Sequence, residues 1–177
     1  MQDILQQQWQ ELCQVHEKFW QTVATQSPEK RTQHPTAETW NLAQVCHHIW
    51  LAESSTLQFV TQKAARQSTF IQKIRSFVLS NVLKVLLKTP LKFKAPKVVL
   101  SDVNRQTMSY DQIMERWQET VNGWQSYLAT FPPEKNNWLV FKHPIAGPLN
   151  IQQTLHFLIT HCQHHQFQLE RIIAAIA

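Results

Sequence analysis

The sequence predicts an all-α fold, a four-helix bundle with an extra short amphipathic helix and a long crossover between its second and third long helices. Three observations carry this. Only two of the 177 residues are glycine, too few for a turn-rich β fold, whose tight turns draw on glycine's freedom at positive φ. Four long segments place apolar residues three and four apart, the spacing of one helix face. Three of those segments open on Asn or Ser followed three residues later by Gln, a pairing that closes a helix start with two reciprocal hydrogen bonds.

The first helix is predicted from Asp3 to Gln26, with Leu5, Trp9, Leu12, Phe19 and Val23 along one side and Ser27-Pro28 ending it. The second opens at Asn41, as Asn-Leu-Ala-Gln, and continues to about Ala65. In FIQKIRSFVLSNVLKVLLK, Phe70, Ile74, Phe77, Val78, Val82 and Val85 form the apolar stripe of a shorter amphipathic helix. Thr89 to Thr107, with Pro90 and Pro96, reads as an irregular crossover. The third long helix opens at Ser109, carries Ile113, Trp117, Val121, Trp124, Leu128 and Phe131, and stops at Pro132-Pro133. The last opens at Asn150 and runs to the end of the chain. A chain of this length fits one domain, 1–177, with a real core.

With 43 % hydrophobic and 16 % charged residues the composition is that of a soluble globular protein. Cys13, Cys46 and Cys162 are odd in number and scattered, so reduced thiols and a cytoplasmic setting are expected. The start, MQDILQQQWQEL, has neither a basic nor an apolar leader region, and export is not expected. No apolar run approaches the ~20 residues of a membrane span. Residues 63–105 hold ten Lys and Arg against one acid, Asp102, a local balance of +9 within a net +5 that leaves the remainder at −4. Two readings of that segment compete: contact with phosphates or an anionic membrane, and a solvated outer face on a helix whose apolar side packs on the bundle or on a second subunit. The second is the preferred expectation. Nucleic-acid binding has no reader motif behind it.

Near the C-terminus, THCQHHQFQLERI puts three histidines within five residues. On a helix His161 and His165 point within about 40° of each other, and Gln168 continues their stripe. Such a pair can grip one ion with two ring nitrogens, but it needs a third ligand from elsewhere. The second helix supplies a candidate. Asn41, Gln44, Val45, Leu51, Ala52, Ser55 and Phe59 fall within about 60° of His48, which makes that stripe the predicted core face. His47 points about 100° away and Cys46 almost opposite. A lone inward histidine is ordinarily a hydrogen-bonded core residue, but two buried faces each presenting imidazole need a shared partner. A divalent ion satisfies one ring nitrogen on each, and three neutral imidazoles leave it open positions, the layout of a catalytic site.

Other residues are weighed against this site. Glu53 lies about 140° from His48 on the helix wheel and is not expected as a ligand. Gln168 can orient a ligand or a bound water, or be a plain polar core contact. Gln44 shares the His48 face as a pocket residue. His164 is a spare ligand or solvent-facing. His143, held extended by Pro144, either caps the fourth helix or lines the pocket mouth. Cys46 and Cys162 adjoin histidines but point elsewhere and are excluded as ligands. Trp9, Trp117 and Trp124 read as core anchors, and Trp50 and Trp138 have no assigned place. No carboxylate stands out on the metal faces as a general base, which favours an incoming thiolate over an activated water, or no catalysis at all.

Three passages together resemble the DinB/YfiT-like superfamily of metal-binding four-helix bundles. Trp40 to His48, followed by Ile49, looks like its W-x7-H segment; His143-Pro-Ile-Ala-Gly-Pro-Leu-Asn150 is similar to an HPxxGxL entry into the last helix; His161-x3-His165-x2-Gln168 resembles the terminal H-x3-H pattern. The resemblance implies an antiparallel bundle in which His48, His161 and His165 hold a divalent metal, and it implies a homodimer. It also implies a metal-dependent enzyme of thiol transferase or hydrolase type, acting on a small-molecule substrate, in some relatives together with a low-molecular-weight thiol. Imidazole ligands suit Zn, Ni and Fe alike, so the ion is not specified. The alternative function is a non-catalytic, metal-stabilised interaction protein that binds a partner or an anionic membrane through 63–105. Phe70 to Thr107 is where the chain departs most from short-looped relatives.

Overall fold

Three helix starts are closed by the reciprocal bonds that their sequences foretell. In the computed structural model, which describes residues 1–63, 65–72, 76–79, 81–82, 108–144 and 146–177, the Asn41 side chain accepts from Gln44 N at 2.8 Å while Gln44 Oε1 accepts from Asn41 N at 3.0 Å. Ser109 with Gln112 and Asn150 with Gln153 repeat the arrangement. Each such cap contributes about 1 kcal/mol by satisfying donors that have no partner within the helix. The helices are α1 (Asp3–Ala24), α2 (Pro28–Thr32), α3 (Leu42–Gln62), α4 (Tyr110–Ala129) and α5 (Ile151–Ala175).

The differences from expectation are local. α1 ends at Ala24 rather than Gln26, and α3 at Gln62 rather than Ala65. Ser27 caps the short α2 by accepting from Lys30 N, with Pro28 in the first turn, so one dipeptide both stops a helix and starts another. The passage read as the entry into the last helix forms an antiparallel hairpin of β1 (Phe141–His143) and β2 (Gly147–Leu149), pairing Phe141 with Leu149 and His143 with Gly147. Gly147 has a φ of 72°, a conformation that suits glycine. An antiparallel bridge between Arg66 and Leu139 ties the chain beyond α3 to the approach to this hairpin.

α1 packs against α5, and α3 against both α4 and α5. Trp117 on α4 closes the ring of helices by taking the His16 and Trp20 rings of α1 at centroid distances of 4.4 and 5.1 Å. Where α4 meets α3, a Cβ on Gly123 would lie 2.5 Å from Leu57 Cδ2, so a larger residue there would have to displace the end of the Leu57 side chain. The core forms two apolar clusters. One gathers around Leu5, Trp9, Leu12, Trp124 and Leu155, the other around Phe19, Val45, Ile49, Trp117 and Leu169. Trp9, Trp117 and Trp124 are buried anchors, as expected. No described helix is long and apolar enough to cross a membrane.

Two face assignments are corrected. The buried side of α3 is Leu42, Ala43, Val45, Cys46, His47, Ile49, Glu53, Thr56 and Val60. Of the face expected around His48, Leu51, Ala52 and Phe59 are only partly buried and Ser55 is exposed. The stripe through Leu42, Cys46, Ile49, Glu53 and Thr56 takes the centre of the bundle instead, and His48 lies on its flank. Residues 70–72, 76–79 and 81–82 are helical. Their apolar side does not pack on the bundle: Phe70, Phe77, Val78 and Val82 are exposed, whereas Ser76 and Leu79 face inward. Ile74 and Val85 of that stripe, and the crossover over 89–107, lie outside the described residues.

Candidate metal centre

α3 and α5 lie side by side, and the i, i+4 spacing of His161 and His165 aims both rings from α5 at the α3 flank that carries His48. His161 Nε2 is 3.2 Å from His48 Nε2 and 3.2 Å from His165 Nε2. One ligand atom from each ring falls within 4.8 Å of the others. The residues His48 and His161 as wholes are half-buried and His165 is buried, while the imidazoles themselves are enclosed.

Hydrogen bonding orients one of the rings. Gln168 Oε1 accepts from His165 Nδ1 at 2.7 Å, which puts the proton of the neutral ring on Nδ1 and leaves a lone pair on Nε2. His161 Nδ1 is buried with no hydrogen-bond partner among the described residues. Burial, reinforced by the neighbouring histidines, holds His161 and His165 well below the usual imidazole range. The same causes bring His48 down to about 4. All three are therefore neutral near pH 7, the state in which imidazole binds a metal.

Three nitrogens converging this closely repel unless a proton or a cation lies among them. Ligand nitrogens at about 2.0–2.1 Å from a tetrahedral ion stand roughly 3.3 Å apart, close to the two distances found. The residues therefore fit a divalent ion. The Trp40 ring lies 5.3 Å from that of His48, and Phe157 stacks on His161 at 5.2 Å. Among the described residues these rings, His164 against His165 and Gln168 are ring or hydrogen-bond neighbours of the trio, and none of these is a carboxylate.

The remaining sequence candidates separate. His164 is half-buried and sits edge-on to His165, outside the trio. Gln44 serves the α3 cap. His143 does not cap α5, a task Asn150 performs. Its Nδ1 instead accepts from Ala146 N at 3.0 Å inside the hairpin, its ring sits 4.4 Å from Phe157, and burial brings its pKa down to about 4. Cys46 and Cys162 are fully buried, and burial pushes both thiols well above their usual range.

His16 is the polar core residue that sequence reasoning missed. Its Nε2 donates to Glu53 Oε1 at 2.8 Å, and both side chains are buried. The signal was available: His16 stands between Leu12 and Phe19 on the stripe already read as the buried side of α1. Trp50, unplaced from sequence, stacks on His47, and Trp138 lies beneath Lys135 Nζ.

The family model of the DinB superfamily matches residues 11–169. Among solved structures, the conserved protein of a locus from Enterococcus faecalis superposes with a TM-score of 0.62 at 12 % identity, covering 98 % of this chain and 99 % of that one. YfiT from Bacillus subtilis, described as a probable metal-dependent hydrolase with an unusual four-helix bundle topology, gives 0.58 at 16 % identity, covering 97 % and 87 %. At these identities the likenesses establish the fold. No curated protein matches the chain.

Proposed function

Because the chain belongs to the DinB superfamily, we propose that it is a metal-dependent enzyme whose His48, His161 and His165 hold one divalent ion, and that it transfers a low-molecular-weight thiol to a small electrophile. The observation that carries this reading is the convergence of three neutral imidazole nitrogens with no carboxylate among their partners in the described residues. Held by three neutral ligands, such an ion keeps its full charge and an open position, and it lowers the pKa of a bound thiol or water toward neutrality.

The chain's own residues prepare that position. Gln168 fixes the tautomer and the orientation of His165. Trp40 and Phe157 give the site apolar walls that restrict water. With no carboxylate among the trio's neighbours, a water nucleophile would lack a general base, whereas a thiol needs only to lose its proton. In the reaction the thiol proton passes to solvent, a sulfur–carbon bond forms, and the leaving group departs with its bonding pair. Hydrolysis is the second reading, favoured by the description of YfiT.

Metal analysis of purified wild type and His161→Ala tests the proposal, together with conjugation of glutathione or cysteine to a chlorodinitrobenzene and hydrolysis of a nitrophenyl ester. The expected result is one ion per chain and thiol-dependent turnover, both lost in the variant. Turnover without thiol moves the assignment to hydrolysis. Loss of metal that changes only the melting temperature makes the ion structural.

A further inference from the structure

We propose that the exposed apolar residues Phe70, Ile71, Phe77, Val78 and Val82, with the basic residues near them in the sequence, dock the protein onto an anionic lipid surface. The inference is independent of the metal centre and rests on how the segment is seated. Ser76 is buried and its Oγ donates to Gln153 Oε1 in the α5 cap at 2.6 Å. Leu79 packs on the first core cluster. The side bearing Ser76 and Leu79 therefore holds the bundle, and the side bearing the aromatic rings faces water. Phe70 is 77 % exposed, Ile71 76 % and Phe77 66 %, with Val78 and Val82 beside them in the sequence. Five of the eight large hydrophobics exposed among the described residues fall between Phe70 and Val82, the kind of concentration that marks an interaction surface.

Charge selects the occupant. Residues 63–105 carry a balance of +9 in a chain whose remainder is −4, and Lys63 and Arg66, at the near end of the segment, are exposed. Aromatic and branched side chains entering the acyl boundary, with Lys and Arg reaching lipid phosphates, are the two components of interfacial binding. A second copy fits less well. It brings no opposite charge, because segment 63–105 of each chain carries the same +9 balance. Nucleic acid would answer the charge but leave the phenylalanines in water.

The test uses the full chain with vesicles of phosphatidylcholine alone or mixed with phosphatidylglycerol, read by co-sedimentation. Wild type should bind the mixed vesicles at least ~10-fold more tightly than the neutral ones, and binding should weaken as salt rises. Phe70→Ser with Phe77→Ser should lose about 10-fold at fixed salt, and Lys84→Glu with Lys88→Glu should lose binding and much of its salt dependence. Both phenylalanines are solvent-exposed, so melting temperature and circular dichroism should match wild type and show that the apolar variant folds. The proposal is overturned by absence of vesicle binding at low salt, by equal binding to neutral vesicles, or by indifference to the serine substitutions. It is also overturned if wild type is a dimer in solution that the serine variant dissociates, or if single-stranded RNA binds with no need for the phenylalanines.

Discussion

His16 and His161 are both enclosed imidazoles on long helices of the same bundle, and their surroundings differ in one respect. His16 on α1 meets a carboxylate from α3, Glu53, at 2.8 Å. His161 on α5 meets two further imidazoles at 3.2 Å, and its Nδ1 has no hydrogen-bond partner among the described residues. The first arrangement is complete within the chain, because donor and acceptor satisfy one another away from water. In the second, three ring nitrogens converge with no carboxylate among their partners in the described residues, an arrangement that a cation from outside would complete. Burial alone therefore does not identify a functional histidine. What distinguishes the two places is whether the protein supplies the opposite charge itself.

The largest way to break this comparison is to make the self-sufficient site incomplete. Glu53→Ala leaves His16 enclosed without its acceptor and should destabilise the fold by about 3–5 kcal/mol, the range for breaking a buried pair from one side. Denaturant unfolding measures the loss, and metal stoichiometry in the surviving folded protein should be unchanged. Loss of the ion in that variant would show the two sites to be coupled. A smaller effect is expected from Gln168→Ala. It frees the Nδ1 proton of His165 and should weaken metal affinity about 10–100-fold while the ligands remain. Competition with a chelator reads that change, and an affinity equal to wild type would remove Gln168 from the site.

Acid sharpens the comparison from a different side. His48 and His143 have folded-state pKa values of about 4, below the ~6.5 of an unfolded chain. As pH falls through about 6.5 the unfolded state takes up protons that the folded state refuses. Stability therefore declines from there and levels off near pH 4. For metal-free protein, melts between about pH 7 and pH 4.5 should show a falling Tm, by ~2–4 °C per kcal/mol lost. Added metal should flatten the upper part of that slope, and a flat profile without metal would mean that these rings are not enclosed.

What the sequence disclosed follows the range of each interaction. The caps at Asn41, Ser109 and Asn150 and the spacing of His161 and His165 depend on residues three or four apart, and each was legible. The buried face of α3 was not. That helix is apolar on more than one side, Leu42, Val45, Cys46 and Ile49 against Leu51, Ala52 and Phe59, and only its neighbours decide which side is enclosed. Read from sequence, Glu53 falls off the His48 face and has no partner, because its partner lies 37 positions away on α1. The exposed stripe at Phe70, Phe77, Val78 and Val82 escaped for a related reason: an amphipathic pattern states that two sides differ, not which of them meets the protein.

The three reciprocal helix starts are closed by Gln44, Gln112 and Gln153, amides rather than carboxylates. An amide has no charge to lose, so proton uptake that pries the imidazoles out of their packing leaves these helix beginnings tied. Below the point where side-chain interlocking fails, the molecule should persist as loosened rods with most of their backbone spiral retained. Recovery on neutralisation is then a matter of docking ready-made rods against each other.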